Sequence, residues 1–301
     1  MSAVQPRPAD DAGWAAAARA ALAGDDAAFA ARFDAGEDID RLLAARTRAV
    51  DEWVRQAWQR CIGQEPTDIG LFAIGGYGRG ELFPHSDIDL LVLAEPDAQQ
   101  ARHDALARLF ALLWDAGLPV GHAVRSAAEC SEAAAADITV LTAMLEARPL
   151  QTNAAEVARL QEAIAPDHAW PPREYFLAKR AEQRERHARF DDTADNLEPN
   201  IKEGPGGLRD VHTLHWMALR VLGARGLEPL VALGQFGADE YATLERQRRD
   251  LSRLRWGLHL VAGRREERLR FDYQKALAER LGHTGDAGNL AVEQMMQGFY
   301  R

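Results

Sequence analysis

The sequence predicts an α/β (α+β) domain with a short mixed sheet, preceded by N-terminal helices and followed by an all-helical domain. Three observations carry this prediction. The short apolar runs Ile69 to Ile74 and Asp87 to Leu93, bounded by glycine and proline, have the length and punctuation of buried strands. Stretches with apolar residues at offsets of three, four and seven lie on either side of them. Beyond Pro171-Pro172 the helical pattern is almost unbroken. A chain of 301 residues has room for about two cores. The expected divisions are a helical segment over 1–62, an α/β domain over 63–165 and a helical domain over 166–301.

Each element has its own signal. Leu42, Leu43, Val50, Trp53, Val54 and Trp58 form the stripe of the N-terminal helices, which Gly63 to Thr67 interrupts. Ile69 to Ile74 runs into a tight turn at Gly75-Gly76. Asp87 to Leu93 is closed by Pro96, and Ala98 to Ala116 is a helix with Leu106, Leu109, Phe110, Leu113 and Trp114 inside. Gly117 leads to a third strand, Leu118 to Arg125, and a helical stretch runs from Ala127 toward Arg148, limited by Pro149. Further helices are expected over Arg173 to Phe190, Val211 to Gly223, Ala238 to Arg264, Tyr273 to Leu281 and from Asn289 onward, with Glu203 to Gly207 as a glycine-rich connector. The last stretch lacks a capping Gly or Asn, the pattern expected of a chain cut from a longer protein. Trp53, Trp58, Trp114, Trp216 and Trp256 fall on apolar stripes and are expected in cores.

Composition excludes several classes. With 36 Lys and Arg against 46 Asp and Glu, the net charge is −10, the wrong sign for a general nucleic-acid binder. No apolar run approaches the ~18 residues of a membrane span. Met1 to Asp11 lacks the basic start and apolar core of a signal peptide, so a cytoplasmic address is expected. Cys61 and Cys130 cannot form a disulfide framework and are expected as buried thiols.

The chemistry is concentrated in Gly75 to Asp89, which reads Gly-Gly-Tyr-Gly-Arg-Gly-Glu-Leu-Phe-Pro-His-Ser-Asp-Ile-Asp. Residues two apart on a strand face the same way, so Asp87 and Asp89 project together while Ile88 and Leu90 enter the opposite layer. Paired carboxylates repel one another unless protons or cations intervene, and Mg²⁺ suits such oxygen ligands. At the other end, Gly75 and Gly76 offer backbone N–H groups with no Cβ to obstruct an anion, and Arg79 adds a positive charge. An anion cradle joined to a carboxylate platform is what nucleotidyl transfer requires. A Walker loop needs Gly-Lys-Ser/Thr where this chain has Gly80-Glu81. The dinucleotide fingerprint spaces its third glycine one residue further along.

This combination resembles the polymerase-β-like nucleotidyltransferase superfamily, marked by a Gly-Gly/Ser turn followed by Asp-x-Asp. The longer run Gly75 to Leu91 is similar to one branch, the bacterial PII uridylyltransferase/uridylyl-removing enzymes. So is Asn196-Leu-Glu-Pro-Asn-Ile-Lys-Glu-Gly-Pro-Gly-Gly-Leu-Arg-Asp210. Arg255 to Leu260, Gly263-Arg264, Phe271 to Gln274 and Ala278 to Gly282 resemble that family's later helices. The resemblance implies transfer of UMP from UTP to a tyrosine of the PII signal protein, with Mg²⁺ or Mn²⁺ as cofactor and no nucleic-acid or membrane partner. Carried over by position, Gly75 and Gly76 form the phosphate turn, Ser86 lines it, and Asp87 and Asp89 hold the metals. A third carboxylate is usual on a later strand; Glu146 is the first choice and Asp137 the second, although Asp137 also suits a helix N-cap. Lys202 and Arg209 flank the second block's glycines and are candidates for the triphosphate, in a cleft expected between the two domains.

Blander readings hold elsewhere. His103-Asp104 matches the dipeptide of the family's hydrolase domain but lies within a helix, and is expected on a solvated face. That hydrolase domain and the glutamine-sensing repeats are expected beyond Arg301. His85 adjoins the nucleotide loop, whereas His122, His212, His215 and His259 are expected to be structural. Glu203 to Asp210 also reads as an inter-helix loop with Asp210 as cap. Two other functions fit the motifs: adenylyl transfer by a related enzyme, and a silent nucleotide-sensing module.

Overall fold

The computed structural model describes residues 10–63, 68–190, 193, 196–224, 226–286 and 290–300. The break expected at 64–67 and Asn289, where the last helix was to begin, lie outside the described residues. The chain divides into two units, one of Met1–Ala31, Arg41–Leu82 and Ser86–Ala169, the other of Arg32–Asp40, Phe83–His85 and Trp170–Arg301.

The first unit is built on α1 (Asp11–Asp34), α2 (Ile39–Cys61), β1 (Ile69–Ala73), α3 (Gly75–Gly78), β2 (Ile88–Ala94), α4 (Pro96–Ala101), α5 (His103–Asp115), β3 (Val120–Arg125), α6 (Ala127–Ala136), α7 (Ile138–Leu145), β4 (Arg148–Gln151) and α8 (Ala154–Ala163). The four strands form one sheet in the order β3-β2-β1-β4. β1 is antiparallel to β2 and β4, and β2 is parallel to β3, so the sheet is mixed as expected. A parallel neighbour needs a long crossover, and α4 with α5 supplies it.

Alternation along the strands divides the core. Ile69, Leu71 and Ala73 of β1 and Ile88, Leu90, Val92 and Ala94 of β2 join Trp14, Ala18, Val50, Val54, Trp58, Leu109 and Leu113 in one cluster. Each fully buried Leu or Val contributes about 1.5–3 kcal/mol. The N-terminal helices, expected as a segment of their own, thus supply one wall of the sheet's core. On the other face α6 packs on β3 and α8 on β1. Asp89 belongs to this second face.

Several local expectations change. The helix expected over Ala98 to Ala116 breaks at Arg102, whose φ of −111° leaves the helical region. The stretch from Ala127 breaks at Asp137, which caps α7 by accepting from the Thr139 N–H. β4 was not anticipated, because Pro149 argues against a strand; β4 ends the β3-β2-β1-β4 order, an edge where a missing N–H is tolerated. Trp114 is half exposed rather than in the core. Its Nε1–H donates to the Val120 carbonyl at 3.0 Å, which holds the polar edge of the indole at the surface. Cys130 is buried and burial pushes its thiol up to about 11, but Cys61 is only half-buried.

The described elements of the second unit after Trp170 are α9 (Pro172–Ala188), α10 (Leu208–Leu222), α11 (Glu228–Ala232), α12 (Ala238–Ala262), α13 (Phe271–Arg280) and α14 (Ala291–Phe299), with an isolated bridge from Asn200 to Arg268. Ile201, Leu254, Leu258, Leu269 and Leu277 form a core cluster there. α10 begins three residues earlier than expected, so Gly207 is its N-cap and Asp210 lies in its first turn. No helix among the described residues is long and apolar enough to cross a membrane.

Candidate active site

β1 ends at Ala73, and the chain turns directly into the single helical turn α3. The Ile74 N–H donates to the Asp89 carbonyl at 3.0 Å, which fixes the turn against β2. Gly75 has φ +57°, in the left-handed region that favours glycine. The first helical bond is donated by Gly78 to Ile74, so the N–H groups of Gly75, Gly76 and Tyr77 precede it. At Gly78 a Cβ would stand 2.2 Å from the Glu146 carbonyl oxygen and 2.9 Å from that of Ala73. Only a glycine lets α3 approach the end of α7 so closely.

Buried polar contacts hold this loop from both sides. Arg148 of β4 donates to Asp51 of α2 at 2.7 and 2.9 Å and to the Tyr77 carbonyl at 3.2 Å. Its guanidinium lies 5.3 Å from the centre of the buried Tyr77 ring. Thr47 donates to the Gly80 carbonyl at 2.9 Å. The sequence marks none of these as a site, because α2, α3 and β4 are far apart along the chain.

Asp87 is exposed immediately before β2, Ile88 and Leu90 are buried, and Asp89 between them is half-buried. Asp87 and Asp89 therefore stand on the side away from the main core. The Asp89 carboxylate lies between two glycines. Its Oδ2 is 3.5 Å from where a Cβ on Gly75 would be, and its Oδ1 is 2.8 Å from where one on Gly121 of β3 would be. Ser86 is half-buried and follows His85, which has a left-handed φ of 60°, uncommon for a non-glycine residue.

Phe83 to His85 belong to the second unit. The Pro84 carbonyl accepts from Nδ1 of the fully buried His259. Arg255 lies 4.1 Å from the centre of the Phe83 ring, and the His85 and His259 rings are 6.5 Å apart. Burial, and then Arg255, push His259 down to about 4, so it is a neutral donor at physiological pH. A structural role was expected for His259, and its contact is with the segment that leads to Asp87.

The expectation for Glu146 and Arg79 changes. Neither later strand, Val-Gly-His-Ala-Val-Arg or Arg-Pro-Leu-Gln, contains a carboxylate. Glu146 instead caps the C-terminus of α7. Both its oxygens accept from Arg79 Nη1 at 2.6 Å, and Arg79 Nε donates to Glu81 at 2.9 Å. Burial opposes the charge on Arg79, but Glu81 and Glu146 outweigh it and hold the guanidinium protonated. Arg79, expected to add positive charge at the turn, is thus paired with two carboxylates. Asp137, the second choice for a metal ligand, bonds to the Thr139 N–H and hydroxyl at 2.7 Å.

The residues present fit a divalent cation in a restricted way. Asp87 and Asp89 would supply hard oxygen ligands, and the Asp89 carboxylate takes up the places where Cβ atoms on Gly75 and Gly121 would crowd it. No group of three or more His, Cys, Asp or Glu among the described residues is placed to hold a metal.

In the second unit Lys202 is largely buried, 3.7 Å from Glu203 and 3.9 Å from Glu267. Arg209 and Arg255 pair with the same two carboxylates at 2.9 and 2.5 Å. Burial, with Arg255 and Arg209 nearby, brings Lys202 down to about 8 against the pull of Glu267 and Glu203. The glycines of this block have a structural reason. A Cβ on Gly207 would stand 2.8 to 3.0 Å from the carbonyl oxygens of Lys202, Gly204 and Ile201. Asp210, expected as a cap, accepts from Gly206, Gln183, Arg186 and His187. His103 and Asp104 are exposed on α5.

Two family models match the chain. Residues 54–141, which include the Gly75 turn, Asp87, Asp89 and Gly121, match the nucleotidyltransferase domain. Residues 174–301, which include Lys202 and Arg209, match the GlnD PII-uridylyltransferase family. Residues 54–141 therefore carry a nucleotidyltransferase domain, of a class whose members generally use divalent metals. Residues 174–301 carry a domain of the GlnD PII-uridylyltransferase family. The chain is 62% identical over 298 residues to a bifunctional uridylyltransferase/uridylyl-removing enzyme of Xanthomonas campestris pv. campestris strain 8004, an alignment covering 98% of this chain and 34% of the relative. A protein of the same description from Pseudomonas aeruginosa PAO1 is 45% identical over 270 residues, covering 90% of this chain and 30% of the relative. The chain spans about a third of the length of the curated relatives it matches.

Proposed function

We propose that this chain transfers UMP from UTP to a tyrosyl hydroxyl of the PII signal protein and releases diphosphate, with Mg²⁺ or Mn²⁺ held by Asp87 and Asp89. The observation that carries this reading is the Asp89 carboxylate set against Gly75 of the β1–α3 turn, in a chain whose two parts match a nucleotidyltransferase domain and the GlnD family.

Gly75 and Gly76 donate backbone N–H groups to a phosphate oxygen, and Ser86 lines the same turn. The tyrosyl oxygen attacks the α-phosphorus, the bond from that phosphorus to the β-phosphate's bridging oxygen breaks, and the tyrosyl proton passes to water. When bound, the divalent cation neutralises charge on the triphosphate and on the departing diphosphate. The choice of uracil follows the family and not a contact to the base. Glu146 is assigned to Arg79 as its counter-ion. Only transfer is proposed; the removing activity in the relatives' names is not assigned to this chain.

Mass spectrometry of PII incubated with this chain, Mg²⁺ and either UTP or ATP tests the reading. A uridylyl group on a tyrosine is expected with UTP. An adenylyl group with ATP alone would point to the related transferases, and UTP binding without turnover to a sensing module.

Lys202 and Arg209 are proposed to hold the triphosphate. A lysine brought down to about 8 loses its proton as pH rises through that value, and phosphate needs it charged. The Michaelis constant for UTP should then rise by up to about tenfold per pH unit above pH 8. Lys202→Ala should raise the constant below pH 8, and Lys202→Arg should flatten the pH profile. An unchanged constant in Lys202→Ala removes the residue from the site.

A further inference from the structure

Neither backbone conformation nor core packing requires a glycine at position 121. It lies in β3, which ends the β3-β2-β1-β4 order, where a β-branched residue would stabilise the strand and glycine weakens it. Its φ is outside the left-handed region. It is exposed, so no packing against the core excludes a side chain. Two residues along the same face Ala123 carries a Cβ opposite Leu91, with which it is in register.

What a side chain at 121 would meet is Asp89. The two residues are partners in the parallel β2–β3 register, and the added Cβ would stand 2.8 Å from Asp89 Oδ1. The atom it meets is the end of a side chain, so the backbone could accept alanine while the carboxylate turned away. We propose that Gly121 is a positioning residue: by carrying no side chain it keeps the Asp89 carboxylate turned between Gly75 and β3, in the orientation that binds the divalent cation. The inference rests on the proposed role of Asp89 and adds a residue that no motif marks.

The test is a double-mutant cycle on Mn²⁺ binding, read by electron paramagnetic resonance with UTP present, alongside the thermal midpoint and UMP transfer to PII. Gly121→Ala is expected to keep or slightly raise the midpoint, weaken Mn²⁺ binding about tenfold and lower kcat by roughly ten- to a hundredfold, as a sub-ångström misplacement of a reacting group does. In the Asp89→Asn background the same substitution should weaken Mn²⁺ binding no further. Equal losses in both backgrounds, or Gly121→Ala that binds and transfers like the unmodified chain, overturn the inference and leave the reading of Asp89 intact. An unmodified chain that neither binds Mn²⁺ nor transfers UMP overturns both.

Discussion

Asp87→Asn and Asp89→Asn should each lower the rate of UMP transfer by about a thousandfold or more, which is about 4 kcal/mol of transition-state stabilisation. Asparagine keeps the size of the side chain and removes the charge that holds a cation. Asp87 is exposed and Asp89 half-buried, so neither substitution opens a cavity in the core formed by Ile88, Leu90 and Val92. The thermal midpoint should therefore stay close to that of the unmodified chain. Circular dichroism on the same samples separates lost chemistry from lost fold. Near-normal turnover by either variant with Mg²⁺ would remove that carboxylate from the mechanism.

Glu146→Gln should act on stability first. Its side chain is buried and both oxygens bind Arg79, whose guanidinium would lose that contact and keep the one to Glu81. Breaking a buried ion pair costs about 3–5 kcal/mol, and the remaining Glu81 contact and the partial exposure of Arg79 reduce this to roughly 2 kcal/mol. Denaturant unfolding measures it. Half-saturation by Mg²⁺ should hardly change, because the carboxylate is assigned to the guanidinium and not to the metal. A large rise in that value with unaltered stability would restore Glu146 as a third metal ligand.

The centre of the candidate site is legible in the sequence because its parts are local. Gly75-Gly76 and Asp87-Ile88-Asp89 lie on either side of one loop, and period-two alternation alone places the two acids on the face away from Ile88 and Leu90. Contacts that depend on distant partners were not legible. Arg79 and Glu146 are 67 residues apart, and read singly each suggests a different role, one for phosphate and one for metal. Pro149 hid β4, because a proline argues against a strand unless that strand is known to be an edge. Trp114 falls on an apolar stripe, yet its indole N–H reaches for Val120 at the surface. For Gly121 there was a signal: an isolated glycine in a strand marks a bulge or a close approach. Only the parallel pairing of β2 and β3 shows that Asp89 is what approaches.

The same pairing bears on the proposal that Asp87 and Asp89 hold a cation without a third acid on a neighbouring strand. The position opposite Asp89 is a glycine, so no side chain there displaces the carboxylate, and Mg²⁺ commonly takes its other ligands from phosphate and water. The most direct test is intact-protein mass spectrometry of PII after incubation with this chain and UTP, with Mg²⁺ or with a chelator. The expected result is the mass of one uridylyl group per modified subunit, on a tyrosine and only with the metal. PII that stays unmodified with Mg²⁺, or gains the group equally in chelator, contradicts the account.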